Sequence, residues 1–335
     1  MARYKDISMS APRMTAREWG LLFLLSLLWG SSFMFSGLSL KEVTHHGLAF
    51  FRVLIAALTL GLAAMVMRVH FPKDAQFWRG MAVLSLLSTA VPFTLIYWAQ
   101  THIASGLAAI LNAMTPISTL LVAHFVTRDE RLDTRRFAGV LAGIAGVTVI
   151  VGPSALGHFD GNLWAEAAVL GAGACYAVSS VYGRRFIGHS PVVVSFAQMV
   201  FGSAILLPVM LLTGSPLRFG MPSLTVIAAI LALGVFSTGL AFVMFFQILK
   251  RAGATNAILV TLLVPVSAIF LGVLVLGETL AARQVAGLSL IALGLLINDG
   301  RPLEFVRARL AAMRQRPHAS GRVGPCMINE PHHSQ

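Results

Sequence analysis

Apolar residues come in long blocks along this chain, separated by short polar segments. The blocks run roughly 20 residues, the length that crosses about 30 Å of hydrocarbon at about 1.5 Å of helix per residue. They predict ten spanning helices over 19–40, 46–67, 78–99, 104–126, 137–152, 163–182, 191–213, 223–248, 254–277 and 281–298. Between the third and fourth blocks stand only Gln100, Thr101 and His102. A single helix over both is too long for one crossing, so two helices with a tight turn is the better reading.

Composition agrees. Of 335 residues, 57% are apolar and 11% charged, with a mean hydropathy of +0.80. Soluble domains carry about 25% charged residues, and so few polar side chains cannot cover a soluble surface. The first block is longer than the core of a signal peptide and reads as a retained span. Cys175 lies in an apolar block and Cys326 in the polar tail, which argues against a disulfide, and no zinc spacing exists. No cofactor is expected.

The net charge of +12 would suggest nucleic acid in a soluble protein. Its placement argues instead for membrane orientation, with no nucleic-acid partner. With ten spans and the N-terminus inside, the cytoplasmic segments hold 21 Lys and Arg and the outer loops three, Lys41, Arg218 and Arg283. Cytoplasmic loops carry such an excess, so both termini are expected inside. Arg52 alone lies within a span. In the tail, 303–316 reads equally as a basic helix on the membrane surface or as solvated chain, and disorder is expected beyond 317.

The second half repeats the first. A shift of 149 carries Leu84, Ser88, Thr89 and Phe93 onto Leu233, Ser237, Thr238 and Phe242, and Pro116 and Ser118 onto Pro265 and Ser267. A shift of 148 carries Glu130, Arg135, Gly139 and Gly146 onto Glu278, Arg283, Gly287 and Gly294. Each copy holds five spans, and an odd number turns the second copy upside down. Inverted repeats are a signature of secondary transporters, whose substrate site lies near the midplane between the halves. The expected division is 1–18 cytoplasmic segment, 19–152 first repeat, 163–298 second repeat and 299–335 basic tail.

The run Trp29 to Phe33 (WGSSF) resembles the first-span motif of the drug/metabolite transporter superfamily, EamA-like branch. So do Phe51 to Ala57 in span two, Tyr97 to Pro116 across spans three and four, and Gly277 to Leu280 before span ten. There are departures: Asp129-Glu130 faces Gly277-Glu278 across the repeat, Gln198 stands where the first copy has Arg52, and Tyr176-Ala177 replaces Trp29-Gly30. The resemblance implies transport of a small-molecule substrate, with spans 1, 3, 4, 6, 8 and 9 around a central cavity. It says little about cargo, which in this superfamily ranges over amino acids, sugars, nucleotide sugars and drugs.

Pro116 and Pro265 free the carbonyls of Asn112 and Thr261 in spans four and nine. They read as hinges beside the cavity or as structural kinks. Arg52 reads as an anchor for an anionic group or as a cation snorkelling to the outer interface. Trp29, Ser31, Ser32, Ser88, Thr89, Tyr97, Trp98, Gln100, Tyr176, Ser179, Ser237, Thr238, Gln247 and Asn256 are candidates for the cavity wall, singly weak because hydroxyls also glue helices together. Tyr97 and Trp98 also read as interfacial belt residues. Glu166, in the first turn of span six, suits the helix dipole, with proton coupling as the alternative. The histidines at span ends form no metal spacing.

No G-x-S-x-G, H-E-x-x-H or Walker sequence is present, which argues against an intramembrane enzyme and against an ATP-driven pump. The favoured function is a secondary transporter in the cell (inner) membrane, exporting amino acids, metabolites or drugs. An antiporter of phosphorylated or nucleotide-linked sugars is the runner-up. Gly139, Gly143 and Gly146, with Gly287 and Gly294, offer close-packing faces for use within one chain or in a homodimer.

Overall fold

Inside hydrocarbon every backbone N–H and C=O must be satisfied by the protein, which leaves the helix as the local solution for an apolar block. The computed structural model describes residues 14–103, 108, 111–127, 133–151, 163–267 and 282–299. Among these no strand forms beyond the isolated pairing of Val43 with Leu217.

Helix α1 is Ala16–Ser39, α2 His45–Val66 and α3 Ala75–Ser85. A π-helical segment, Leu86–Ala90, joins α3 to α4, Val91–Ala99. Then come α5, Thr115–Val126, α6, Thr134–Val151, and α7, Leu163–Gly183, which closes with a 3-10 turn. Helix α8 is Pro191–Leu212 and α9 Leu224–Gly234. A second π-helical segment, Val235–Leu240, leads into α10, Ala241–Ile258, and α11 is Ala282–Asp299.

The polar punctuation explains the boundaries. Thr15 and Glu18 form a capping box at the start of α1. Asp74 accepts from the Gln76 N–H before α3, and Ser223 from the Val226 N–H before α9. Asp74 and Ser223 are themselves 149 residues apart. Gly253, with φ +83°, breaks the apolar stretch Leu224–Ile258 where spans eight and nine divide. Glycine adopts that left-handed backbone without steric cost.

Six helical stretches among the described residues are long and apolar enough to cross a membrane: Ala16–Ser39, His45–Val66, Ala75–Ala99, Leu163–Phe186, Pro191–Leu212 and Leu224–Ile258. The sequence boundaries of these blocks hold to within one helical turn, except where the last stretch runs on through Gly253. Blocks four and nine are described only in part. The Glu130 and Glu278 segments and the tail beyond 299 lie outside the described residues.

Helices pair across the repeat. Helix α2 packs along α8, and α6 along α11. Helix α7 packs on α4 and α5, while α1 packs on α9 and α10. Outward-facing positions are apolar and exposed, as at Leu58, Leu62, Met65, Leu211 and Leu212, whereas Ser85, Thr89, Gln198 and Thr238 are wholly buried. At one end of the bundle Glu42 accepts from the backbone N–H and hydroxyl of Ser223, and the Thr44 N–H donates to the Pro216 carbonyl. At the other, Arg251 reaches Glu18 at 3.4 Å and Phe77 packs on Phe186 and His189.

The glycine faces are used within the chain. A Cβ on Gly139 would lie 2.7 Å from the Gly294 carbonyl oxygen, and one on Gly146 would lie 2.6 Å from that of Gly287. The helices approach backbone to backbone because those positions carry no side chain. The same glycines are therefore not free to form the face of a homodimer. Gly146→Ala is expected to destabilise the protein by about 1–3 kcal/mol, the usual cost of overpacking. Thermal unfolding in detergent measures it, with Gly20→Ala, where a Cβ meets nothing within 4 Å, as the control for the gain in helix propensity alone.

Candidate functional site

Arg52 sits about 10 Å along α2 from its first residue, at about 1.5 Å per residue. A cation at that depth must snorkel or be met by protein. It is 5% exposed and turns inward. Its Nε donates to Thr238 Oγ1 at 2.6 Å, one terminal nitrogen donates to the Tyr97 hydroxyl at 2.6 Å, and the other donates to the Ser237 carbonyl at 3.2 Å. The guanidinium carbon stands 4.2 Å from the centre of the Phe93 ring. The snorkelling alternative does not hold. Every one of these partners is neutral.

Of the three acceptors, Tyr97 belongs to α4, and Thr238 and the Ser237 carbonyl belong to the second π-helical segment. Such segments open the regular hydrogen-bond ladder and cluster at functional sites. Here the Thr238 hydroxyl closes the gap by donating to the Leu233 carbonyl five residues back, at 2.8 Å, while accepting from Arg52. The first π-helical segment has the matching arrangement with a different partner. Gln198 of α8 donates from Nε2 to Ser88 Oγ at 2.7 Å, and the Ser85 hydroxyl donates to the Gln198 carbonyl. Each π-helical segment is thus held by a polar side chain from the opposite half: a charged one in Arg52, a neutral one in Gln198.

Beside this network lies a cavity of about 810 Å³ including its open mouth. Residues of both halves line it. Ten of the sequence candidates do so: Trp29, Ser32, Arg52, Ser88, Tyr97, Gln100, Asn112, Tyr176, Ser179 and Thr261. Asn112 Oδ1 is buried there without a hydrogen-bond partner among the described residues. Its own carbonyl, freed by Pro116, accepts from the Thr115 hydroxyl at 2.6 Å.

Other candidates stand behind the wall or away from it. Thr89 is buried and donates to the Ser85 carbonyl. Ser237 and Thr238 reach the cavity only through Arg52. Asn256 is buried, with Nδ2 on the Ala252 carbonyl at 2.8 Å. Pro116 is not a kink inside a helix but lies at the start of α5, just after a break at 113–114. Pro265 is buried within a helical stretch. Trp98 stacks on His102, with ring centres 4.5 Å apart, and packs near Ala99, Ala108, Ala165 and Val169 rather than in the cavity. Glu166 is half-buried in the first turn of α7 and does not line the cavity. Among the described residues no group of His, Cys, Asp and Glu is placed to hold a metal ion.

The wall also contains Ser36, Phe93, Ile96, Ser180, Phe242, Phe245, Ile258 and Val264. An apolar residue inside an apolar block carries no signal of its own. The repeat did contain one, because Phe93 and Phe242 match across it and both face the cavity. Trp29 lies against Phe242 and Phe245, with ring centres 6.1 and 5.8 Å apart.

The profile of the EamA-like transporter family matches the chain twice, over residues 18–152 and 163–298. An "Uncharacterized transporter" of Archaeoglobus fulgidus is 26% identical over 84% of this chain and 98% of its own length. The "Uncharacterized transporter YoaV" of Bacillus subtilis is 24% identical over 82% of this chain and 94% of its own. The "Uncharacterized inner membrane transporter YedA" of Escherichia coli is 25% identical over 83% and 89%. A solved crystal structure superposes with a TM-score of 0.71 over 85% of this chain and 98% of the other, at 20% identity, which is a likeness of fold.

The Arg52 network makes the two matching threonines unequal. Thr238→Val removes an acceptor from a buried cation and is expected to cost about 1.5–3 kcal/mol, against about 0.5–1.5 kcal/mol for Thr89→Val, whose hydroxyl meets only a carbonyl. Thermal unfolding of the two variants side by side measures the difference.

Proposed function

The chain belongs to the EamA-like transporter family, and from that premise we propose that it carries a small solute across the cytoplasmic (inner) membrane by alternating access. The observation that carries this reading is the cavity. It lies between the two halves, takes wall residues from both, and combines hydroxyls and amides with aromatic faces. Such walls suit a small polar or amphipathic molecule.

The mechanism we propose uses ten spans as two inverted five-helix repeats, with both termini cytoplasmic. Several features support it. The π-helical segments, the N-caps Asp74 and Ser223, and the cross-half partners Arg52 and Gln198 occupy matching positions. Glu42 and Ser223, joined at one end of the bundle, fall in loops that the charge alternation assigns to the outside. Glu18 and Arg251, joined at the other end, fall in segments it assigns to the cytoplasm. The cavity reaches Ser36 and Gln100, near the outer ends of α1 and α4. On the inner side Glu18 meets Arg251, and the Ser26 and Ser267 hydroxyls lie 2.6 Å apart. That is the pattern of an outward-facing state, and rocking the halves would exchange it for an inward-facing one.

Export is the favoured direction, in keeping with the superfamily resemblance. The antiporter of phosphorylated or nucleotide-linked sugars remains the second reading. It is weaker because Arg52 is the one cation among the described residues lining the cavity. Among the described residues no side chain in that wall is a carboxylate, which leaves Glu166 as the proton-coupling candidate, outside the cavity.

Purified protein in liposomes, preloaded with unlabelled solute and offered labelled amino acids, sugars and drugs, is expected to show counterflow of one class. No counterflow of any solute by folded protein across a broad metabolite panel would sink the transport reading. Pro116→Ala combined with Pro265→Ala is expected to slow counterflow about tenfold if the two positions act as hinges, equivalent to about 1.4 kcal/mol on the barrier. An unchanged rate would make both prolines structural.

A further inference from the structure

Among the described residues, those lining the cavity include a single charged side chain, Arg52, and neither aspartate nor glutamate. A guanidinium offers five N–H donors. Three go to Thr238, Tyr97 and the Ser237 carbonyl, which leaves two. None of the three acceptors carries charge, and the ring of Phe93 contributes only its quadrupole. A buried cation without a counter-ion is costly to hold, and an incoming anion relieves that cost through a charge-assisted hydrogen bond. An organic cation would meet the same field with the opposite sign and find no carboxylate among the described residues.

The rest of the wall defines what the anionic group is attached to. Trp29, Phe242 and Phe245 form an aromatic surface. Asn112 Oδ1, unpartnered among the described residues, is free to accept from an N–H or O–H on the solute. Gln198, at the position matching Arg52 in the other half, is neutral, so the site has one anion anchor and not two.

We infer that the cavity selects small organic anions bearing one carboxylate- or phosphate-type head group and an apolar or aromatic body, with Arg52 as the anchor, and that it rejects organic cations. This rests on the transport reading for its purpose but not for its test, since binding can be read without transport.

The test uses four ligands that share one aromatic body and differ in charge: phenylacetate, phenyl phosphate, phenylacetamide and phenethylamine. Their stabilisation of the purified full-length protein against heat in detergent gives apparent affinities. One or both anions are expected to bind at least tenfold more tightly than the amide, and the amine not at all. Which anion binds better separates a carboxylate cargo from a phosphate one. Arg52→Gln is expected to bring anion and amide to equal affinity. Should that variant fail to fold, Asn112→Asp places a negative charge in the same cavity and is expected to abolish the preference for anions. An amine that binds as well as the anions in the wild type overturns the inference. So does an anion preference that survives Arg52→Gln, or, if that variant does not fold, one that survives Asn112→Asp. Counterflow separates the two readings. Transport of a neutral or cationic solute with no binding of either anion overturns the anion reading and leaves transport standing. Anion binding that requires Arg52, with no counterflow of any solute, supports the anion reading and removes transport.

Discussion

Backbone hydrogen bonding within hydrocarbon is the constraint on which this structure depends. Each peptide group must be paired inside its own helix, so the chain becomes a set of rods whose side chains only decide how the rods meet. The places where the ladder is disturbed are therefore informative. Two are the π-helical segments Leu86–Ala90 and Val235–Leu240, a third is the break before Pro116, and a fourth is the left-handed Gly253. The first three stand beside the cavity. There the freed or displaced backbone groups are met by nearby hydroxyls: Ser88 on the Leu84 carbonyl, Thr238 on Leu233 and Thr115 on Asn112. Serine and threonine are frequent in these spans because they supply such donors locally without needing water.

A matched frame carries an unmatched site. The two π-helical segments lie 149 residues apart, and each receives a polar side chain from the opposite half. The frame is close to symmetric, as suits a device whose halves exchange roles. The chemistry is not: arginine on one side faces glutamine on the other. Arg52 binds Tyr97 of the first half and Ser237 and Thr238 of the second, so one side chain ties the halves together while its charge stays uncompensated by any of these partners. Structural tie and ligand anchor are compatible roles for a guanidinium, because its planar fork has donors to spare.

Packing at the periphery follows a different rule. Helices α6 and α11 meet through facing glycines at backbone contact. There is little hydrophobic driving force between apolar helices in lipid, so close approach and shape must hold them. The bundle around the cavity is instead held by hydroxyl and amide contacts and by aromatic rings, as at Ser26 with Ser267 and Trp29 with Phe245.

The sequence by itself determined the six long spans, the limits of all but the last of them to within about a turn, and the two family copies, because apolar length is a one-dimensional signal that the bilayer reads directly. It also marked much of the cavity wall, from Trp29 and Ser88 to Tyr176 and Thr261, since polar groups inside apolar blocks stand out. The tertiary structure decided what the one-dimensional pattern left open. It turned Arg52 inward, because Thr238 and Tyr97 are brought within hydrogen-bonding distance by helices far away in the chain. It moved Thr89, Asn256 and Trp98 off the wall, because which face of a helix meets the cavity depends on its rotation against its neighbours. It created the π-helical segments and spent the glycine faces within one chain, both outcomes of packing between distant spans that no local pattern specifies.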